Sequence, residues 1–149
     1  MRQSRLTRSI SISLVALAIM LPLRLGSQSL LPSDDGATKR FNAMIEMPKA
    51  YVSGVCVLLR QGDTILGSLF NEFGITALEF ECNTVKKKVK LITLLPMLDK
   101  WYIRRTLKND LKQLVKVLDT GDTIYTNTKR KIEYRFVPQN DSITQTLPL

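Results

Sequence analysis

Between Tyr51 and Leu95 the chain carries four apolar runs of seven to ten residues, parted only by short turns. Tyr51 to Arg60 is almost wholly apolar, with small Ser53, Gly54 and Cys56 set among Val52, Val55, Val57, Leu58 and Leu59. Gln61-Gly62-Asp63 ends it. Thr64 to Phe70 follows, then the turn Asn71-Glu72-Phe73-Gly74, then Ile75 to Cys82; Asn83-Thr84 and a basic patch lead into Val89 to Leu95. Parallel neighbours need a crossover of roughly a dozen residues or more. These turns are too short for that, so the runs form an antiparallel meander. In the third run, strict alternation puts Thr76, Leu78, Phe80 and Cys82 on one face and Ile75, Ala77, Glu79 and Glu81 on the other. A fifth strand precedes the meander: Phe41, Ala43, Ile45 and Met47 alternate with Asn42, Met44 and Glu46 until Pro48 ends the pattern.

The period then changes. Leu107, Leu111, Leu114, Val115 and Leu118 recur as one face of an α-helix, with Lys108, Lys112 and Lys116 on the opposite, solvated side. Leu98, Trp101, Tyr102 and Arg105 also fit helical spacing, so the helical segment is expected from about Pro96, which a first turn accepts. Thr120-Gly121-Asp122 ends it, with Gly121 as the C-terminal cap. Thr123 to Thr126 and Lys129 to Val137 return to period two, with Ile132, Tyr134 and Phe136 on one face. The fold class is α+β: an antiparallel meander covered by a helical segment, then two C-terminal strands. The expected organisation is a leader over 1–29, a flexible stretch over 30–37, a single domain over 38–137 and a flexible tail over 138–149.

The leader is a different kind of sequence. Arg2, Arg5 and Arg8 precede a charge-free run from Ser9 to Leu23, and no acidic residue occurs before Asp34. A basic start, a short apolar run and small residues at Ser27-Gln28-Ser29 have the layout of a secretory signal peptide, with cleavage after Ser29. The apolar run is short for a membrane span, which needs roughly 20 residues. An uncleaved anchor remains the alternative, because Pro22 and Arg24 make a poor cleavage region. A mitochondrial transit helix would carry charge throughout and so fits less well. Leu23-Arg24-Leu25-Gly26-Ser27 has the shape of a lipobox with serine in place of the acylated cysteine, which closes that route. The expected location is therefore exported, in the periplasm or on the periplasmic face of a membrane.

Composition narrows the chemistry. The 149 residues contain no histidine, which removes His-based triads and imidazole acid–base catalysis. Two cysteines are too few for a four-thiolate zinc site, so neither a metal nor a cofactor is expected. The net charge of +9 falls to +5 once the four leader arginines are set aside, leaving 18 basic and 13 acidic residues. That is mild, and an exported protein has little call to bind nucleic acid. Cys56 and Cys82 lie two strands apart, about 9.6 Å in a flat sheet, where a disulfide wants Cα atoms within about 7 Å. Buried unpaired thiols are the favoured reading. Glu79 and Glu81 share a face at a spacing compatible with paired carboxylates, but a solvated strand face is the simpler account. No catalytic residue is assigned, and the chain is read as a non-enzyme.

Two charged clusters remain. Lys86-Lys87-Lys88 blunts a strand edge or meets anionic head groups. Asp99-Lys100-Trp101-Tyr102-Ile103-Arg104-Arg105 concentrates the residue types enriched in binding hot spots.

Tyr51-Val-Ser-Gly-Val-Cys-Val-Leu-Leu-Arg60, Gly67-Ser-Leu-Phe70 and Asn71-Glu-Phe-Gly74 resemble the early strands of the LolA/LolB-like family of envelope lipoprotein carriers, over about Phe41 to Leu118. The resemblance implies a curved sheet, an open half-barrel, whose hydrophobic concavity accepts acyl chains beneath a helical lid. The chain departs from that family in being short and in lacking an N-terminal helix after the leader. The residues themselves supply a physical motive, since runs apolar on both faces need cover on both. The expected function is non-catalytic binding of a lipid or acyl chain, or of an acylated protein. Its expected apolar surface is Val55, Val57, Leu59, Leu69, Phe70, Leu78, Phe80 and Trp101. Lys86, Lys87, Lys88, Arg104 and Arg105 are the expected contacts with an anionic membrane surface or a partner. The alternative is a structural subunit that buries its apolar sheet face against an envelope protein.

Overall fold

A computed structural model describes residues 26–140. Seven strands form one sheet: β1 (Thr38–Met47), β2 (Ala50–Gln61), β3 (Thr64–Asn71), β4 (Thr76–Asn83), β5 (Lys88–Leu94), β6 (Ile124–Asn127) and β7 (Ile132–Pro138). The single helix α1 (Trp101–Asp119) lies between β5 and β6 in the chain. The order across the sheet is β5-β4-β3-β2-β1-β7-β6, every neighbouring pair is antiparallel, and the sheet curls into a half-barrel. The meander therefore runs as its spacing predicts, and the last two strands close onto its first.

Register sorts the side chains. Phe41, Cys56, Leu69 and Leu78 face one another across four strands, and Leu58, Gly67, Phe80 and Leu91 make the adjacent row. With Ile45, Val52, Tyr134 and Phe136 these rows form the concave inner face, and α1 lays Leu107, Leu111, Leu114 and Leu118 against it. Burying each such leucine contributes roughly 1.5–3 kcal/mol, far more than helix propensity supplies. The outer face takes the other parity: Val55, Val57, Leu59, Leu66 and Phe70 are half-buried there, beside exposed Met44 and Val137.

Helix α1 stops through a Schellman arrangement. Gly121, at φ +90°, donates its N–H to the Leu118 carbonyl, and Asp122 donates to Val117, each at 3.1 Å. Its start lies later than the sequence implied. Pro96 to Lys100 form turns, with Leu98 N–H donating to Leu95 and Asp99 N–H to Pro96, and the helix begins at Trp101.

Three further differences have local causes. Ala77 is fully buried rather than outward-facing, because the pairing slips between Leu69 and Phe70 and gives β4 one extra residue. Residues 30–37, expected to be flexible, pack on the domain: Leu31 sits in the core, Leu30 N–H donates to Leu118 at 2.8 Å, and Arg60 Nε donates to the Pro32 carbonyl at 2.6 Å. At the other terminus Pro138 pairs with Phe41, and Gln139 N–H reaches the Arg40 carbonyl at 2.9 Å. Residues 1–25, most of the expected leader, and 141–149, most of the expected tail, lie outside the described residues.

Candidate functional site

Where α1 crosses the sheet, its first two turns do not meet the strands closely. A cavity of about 180 Å³ remains between them. Its walls are the buried side chains of Ile45, Val52, Leu69, Leu78, Leu107 and Tyr134. Its mouth carries Met47, Pro48, Tyr102, Ile103, Arg130 and Ile132, all partly or fully exposed. The β1–β2 hairpin, the segment after β5, the start of α1 and the β6–β7 turn thus converge on one opening. The sheet's curl is what leaves the gap, since a straight helix touches a concave surface closely along only part of its length.

The volume sets what fits. An apolar cavity of about 150 Å³ accepts a benzene-sized guest and stays dry without one. Sites for drug-sized ligands run from about 300 Å³ upward. This volume matches an aromatic ring or the terminal carbons of an acyl chain, not a whole lipid.

One polar constellation backs the cavity. Asp110 is buried on the apolar face of α1, where its carboxylate accepts from Tyr134 Oη and from Asn127 Nδ2, each at 2.8 Å. Burial first, and the Asp110 carboxylate second, hold the Tyr134 hydroxyl well above the ordinary tyrosine range, so it stays a neutral donor. The three residues tie α1 to β6 and β7 and hold Tyr134, whose side chain forms part of the cavity wall. Asp110 was detectable in the sequence, three residues after Leu107 and four before Leu114, on the stripe that faces the core.

The sequence-derived apolar set divides between two faces. Leu69 and Leu78 line the cavity, and Phe80 lies on the same inner face without lining it. Val55, Val57, Leu59 and Phe70 lie on the outer face and share no site with them. Trp101, 77% exposed, stands edge-on to Tyr102 at 5.9 Å beside the mouth. The basic set divides as well. Arg104 and Arg105 sit in the first turns of α1 near the cavity, whereas Lys86, Lys87 and Lys88 occupy the β4–β5 turn and the start of β5 at the opposite end. Strand direction explains the split: neighbours in an antiparallel meander turn at alternate ends, so runs close in sequence need not be close in space.

Cys56 and Cys82 are free and buried. Burial pushes the Cys56 thiol up to about 12, with a smaller opposing effect from the Ser68 backbone, and it raises Cys82 against the pull of Lys112. A thiol kept protonated is a poor nucleophile. Glu79 accepts from Thr93 Oγ1 at 2.5 Å across β4 and β5, outside the cavity. Among the described residues no cluster of three metal-ligating side chains occurs, and no helix is long and apolar enough to cross a membrane. Comparison with family models, with curated proteins and with solved structures finds no match for this chain.

Proposed function

We propose that this protein binds the end of an acyl chain or a similar slender apolar group in the cavity between α1 and the curled sheet, without catalysing a reaction on it. The observation that carries the reading is the cavity itself, with buried apolar walls and a mouth at one end of the molecule. Transfer of apolar surface from water into such a pocket contributes roughly 25 cal/mol per Å², and the protein supplies the walls already in place. The basic-then-apolar leader supports an exported location on the periplasmic side of a membrane, where acylated proteins and lipids are the available partners. A carrier-like role, in which acyl chains pass from one holder to another, follows from a site that encloses only a chain end.

Native mass spectrometry with a medium-chain fatty acid tests the reading. One bound equivalent is expected, and Val52→Phe, which places a larger side chain in the cavity, is expected to abolish it. A clean unliganded mass for the unaltered protein under the same conditions contradicts the proposal. The half-buried outer stripe of Val55, Val57, Leu59 and Phe70 supports a second reading, a subunit that covers this face with an envelope protein. Light scattering after size exclusion separates the two, because the carrier is a monomer and the subunit is not.

A further inference from the structure

We infer that the end of the molecule surrounding the cavity mouth docks on an anionic lipid surface. As the source of the bound chain it rests on the acyl-binding reading; as a docking face it stands on its own observations.

Four connections gather at this end: the β1–β2 hairpin, the β3–β4 turn, the β5–α1 segment with the first turns of the helix, and the β6–β7 turn. They expose large apolar side chains to an unusual degree. Phe73 is 85% exposed at the tip of the β3–β4 turn and Trp101 is 77% exposed at the start of α1, with Tyr51, Ile75, Met97 and Tyr102 also outward. Among the described residues, the opposite end exposes Val85, Ile124 at the start of β6 and Val137 near the end of β7, all aliphatic. Aromatic side chains with a polar tip, such as Trp101 and Tyr102, favour the boundary between head groups and acyl chains.

Charge agrees. Within these connections, seven basic residues face two acidic ones, Glu72 and Asp99. Asp99 is already paired with Arg104, and Glu72 accepts from Ser53 Oγ at 2.9 Å. Lys49, Lys100, Arg105 and the run Lys129-Arg130-Lys131 are all exposed. Helix α1 adds to the same potential, because its positive end points here with no side-chain cap and no acidic residue in the first turn. The opposite end is also basic, through Lys86, Lys87 and Lys88, but lacks the aromatic partners. Charge alone does not distinguish the ends. Charge joined to exposed aromatic surface does, and only here does the cavity open.

Trp101 is the sole tryptophan of the chain, so its fluorescence reports this surface and no other. The full chain is mixed with phosphatidylglycerol vesicles, with phosphatidylcholine vesicles and with phosphatidylglycerol vesicles carrying brominated acyl chains. The expected result is a blue shift with phosphatidylglycerol, quenching by the brominated chains, and loss of both at high salt. Reversal of Lys129, Arg130 and Lys131 to glutamate is expected to weaken vesicle binding by on the order of a hundredfold. Phe73→Ser, on an exposed turn, is expected to reduce the quenching while leaving the fold intact. Unchanged Trp101 emission overturns the proposal even if the protein floats with the vesicles, since attachment then runs through another segment. A shift produced by polyglutamate but not by vesicles also overturns it, in favour of an acidic protein partner. Val52→Phe separates this proposal from the acyl-binding one: it is expected to remove fatty-acid binding and leave the Trp101 response to vesicles unchanged.

Discussion

Asp110 is the residue on which the helix–sheet junction turns. Its two hydrogen bonds, to buried Tyr134 Oη and to half-buried Asn127 Nδ2, join three elements. Asp110→Ala leaves both donors without this partner; half-buried Asn127 can turn to water, whereas the orphaned buried Tyr134 hydroxyl costs about 1–3 kcal/mol. A urea titration is expected to show a loss of about 1–3 kcal/mol, with Asp110→Asn losing less because its amide oxygen still accepts. Equal stability for Asp110→Ala and the unaltered protein contradicts the assigned role. Cys56 makes a second, pH-dependent contribution. Its thiol titrates near 9.0 when unfolded and near 12 when folded, so the folded state holds its proton longer. The stabilisation is complete below pH 9 and is lost as pH rises toward 12, at about 1.4 kcal/mol per pH unit. Stability measured between pH 9 and pH 10 is expected to fall less steeply in Cys56→Ala than in the unaltered protein, although the variant starts lower at pH 7. Parallel curves overturn that account.

At the scale of elements, most of the architecture was legible because it rests on short-range rules. Apolar runs closed by Gly62-Asp63 and by Asn71 to Gly74 predict the β2–β3 and β3–β4 hairpins, and the Leu107-to-Leu118 stripe predicts α1. What escaped depends on partners distant in sequence. Leu31 is buried only because the chain before β1 returns beside the C-terminus of α1, which a string of Pro, Ser, Asp and Gly does not announce. The bulge that buries Ala77 depends on how β4 registers against β3, which the alternation within β4 does not reveal. Two glycines show how tightly the bend is made. A Cβ on Gly67 would lie 2.2 Å from the Phe80 ring, and one on Gly54 would lie 1.8 Å from the Phe70 carbonyl oxygen. Side chains yield more readily than strand backbone, so Gly54→Ala is expected to be the more damaging in thermal melts. Gly67→Ala should cost about 1–3 kcal/mol, the ordinary range for overpacking. The reverse order argues against the curvature described here.

At the scale of the whole molecule, the candidate site was legible only in part. Composition and patterning pointed to a surplus of apolar β-surface, and Leu69 and Leu78 do line the cavity. Val55, Val57, Leu59 and Phe70 carry the same apolar signature on the outer face, since a continuous apolar run does not say which parity looks inward. The mouth was harder to foresee. Pro48, Tyr102 and Arg130 come from three connections more than 25 residues apart, and only the alternation of strand direction gathers them. The same alternation sends Lys86, Lys87 and Lys88 to the far end, away from Arg104 and Arg105. The two ends differ in their side chains: one is basic without exposed aromatic residues, the other basic and aromatic around the mouth of the cavity between α1 and the sheet.

Methyl NMR of the protein titrated with a medium-chain fatty acid distinguishes occupation of the cavity from contact with the outer face, because the methyl groups of the two sheet faces report separately. Saturable shifts are expected at Ile45, Val52, Leu69, Leu78 and Leu107, with Val55, Val57 and Leu59 unmoved. Shifts confined to the outer stripe, or none at all, contradict occupation of the cavity.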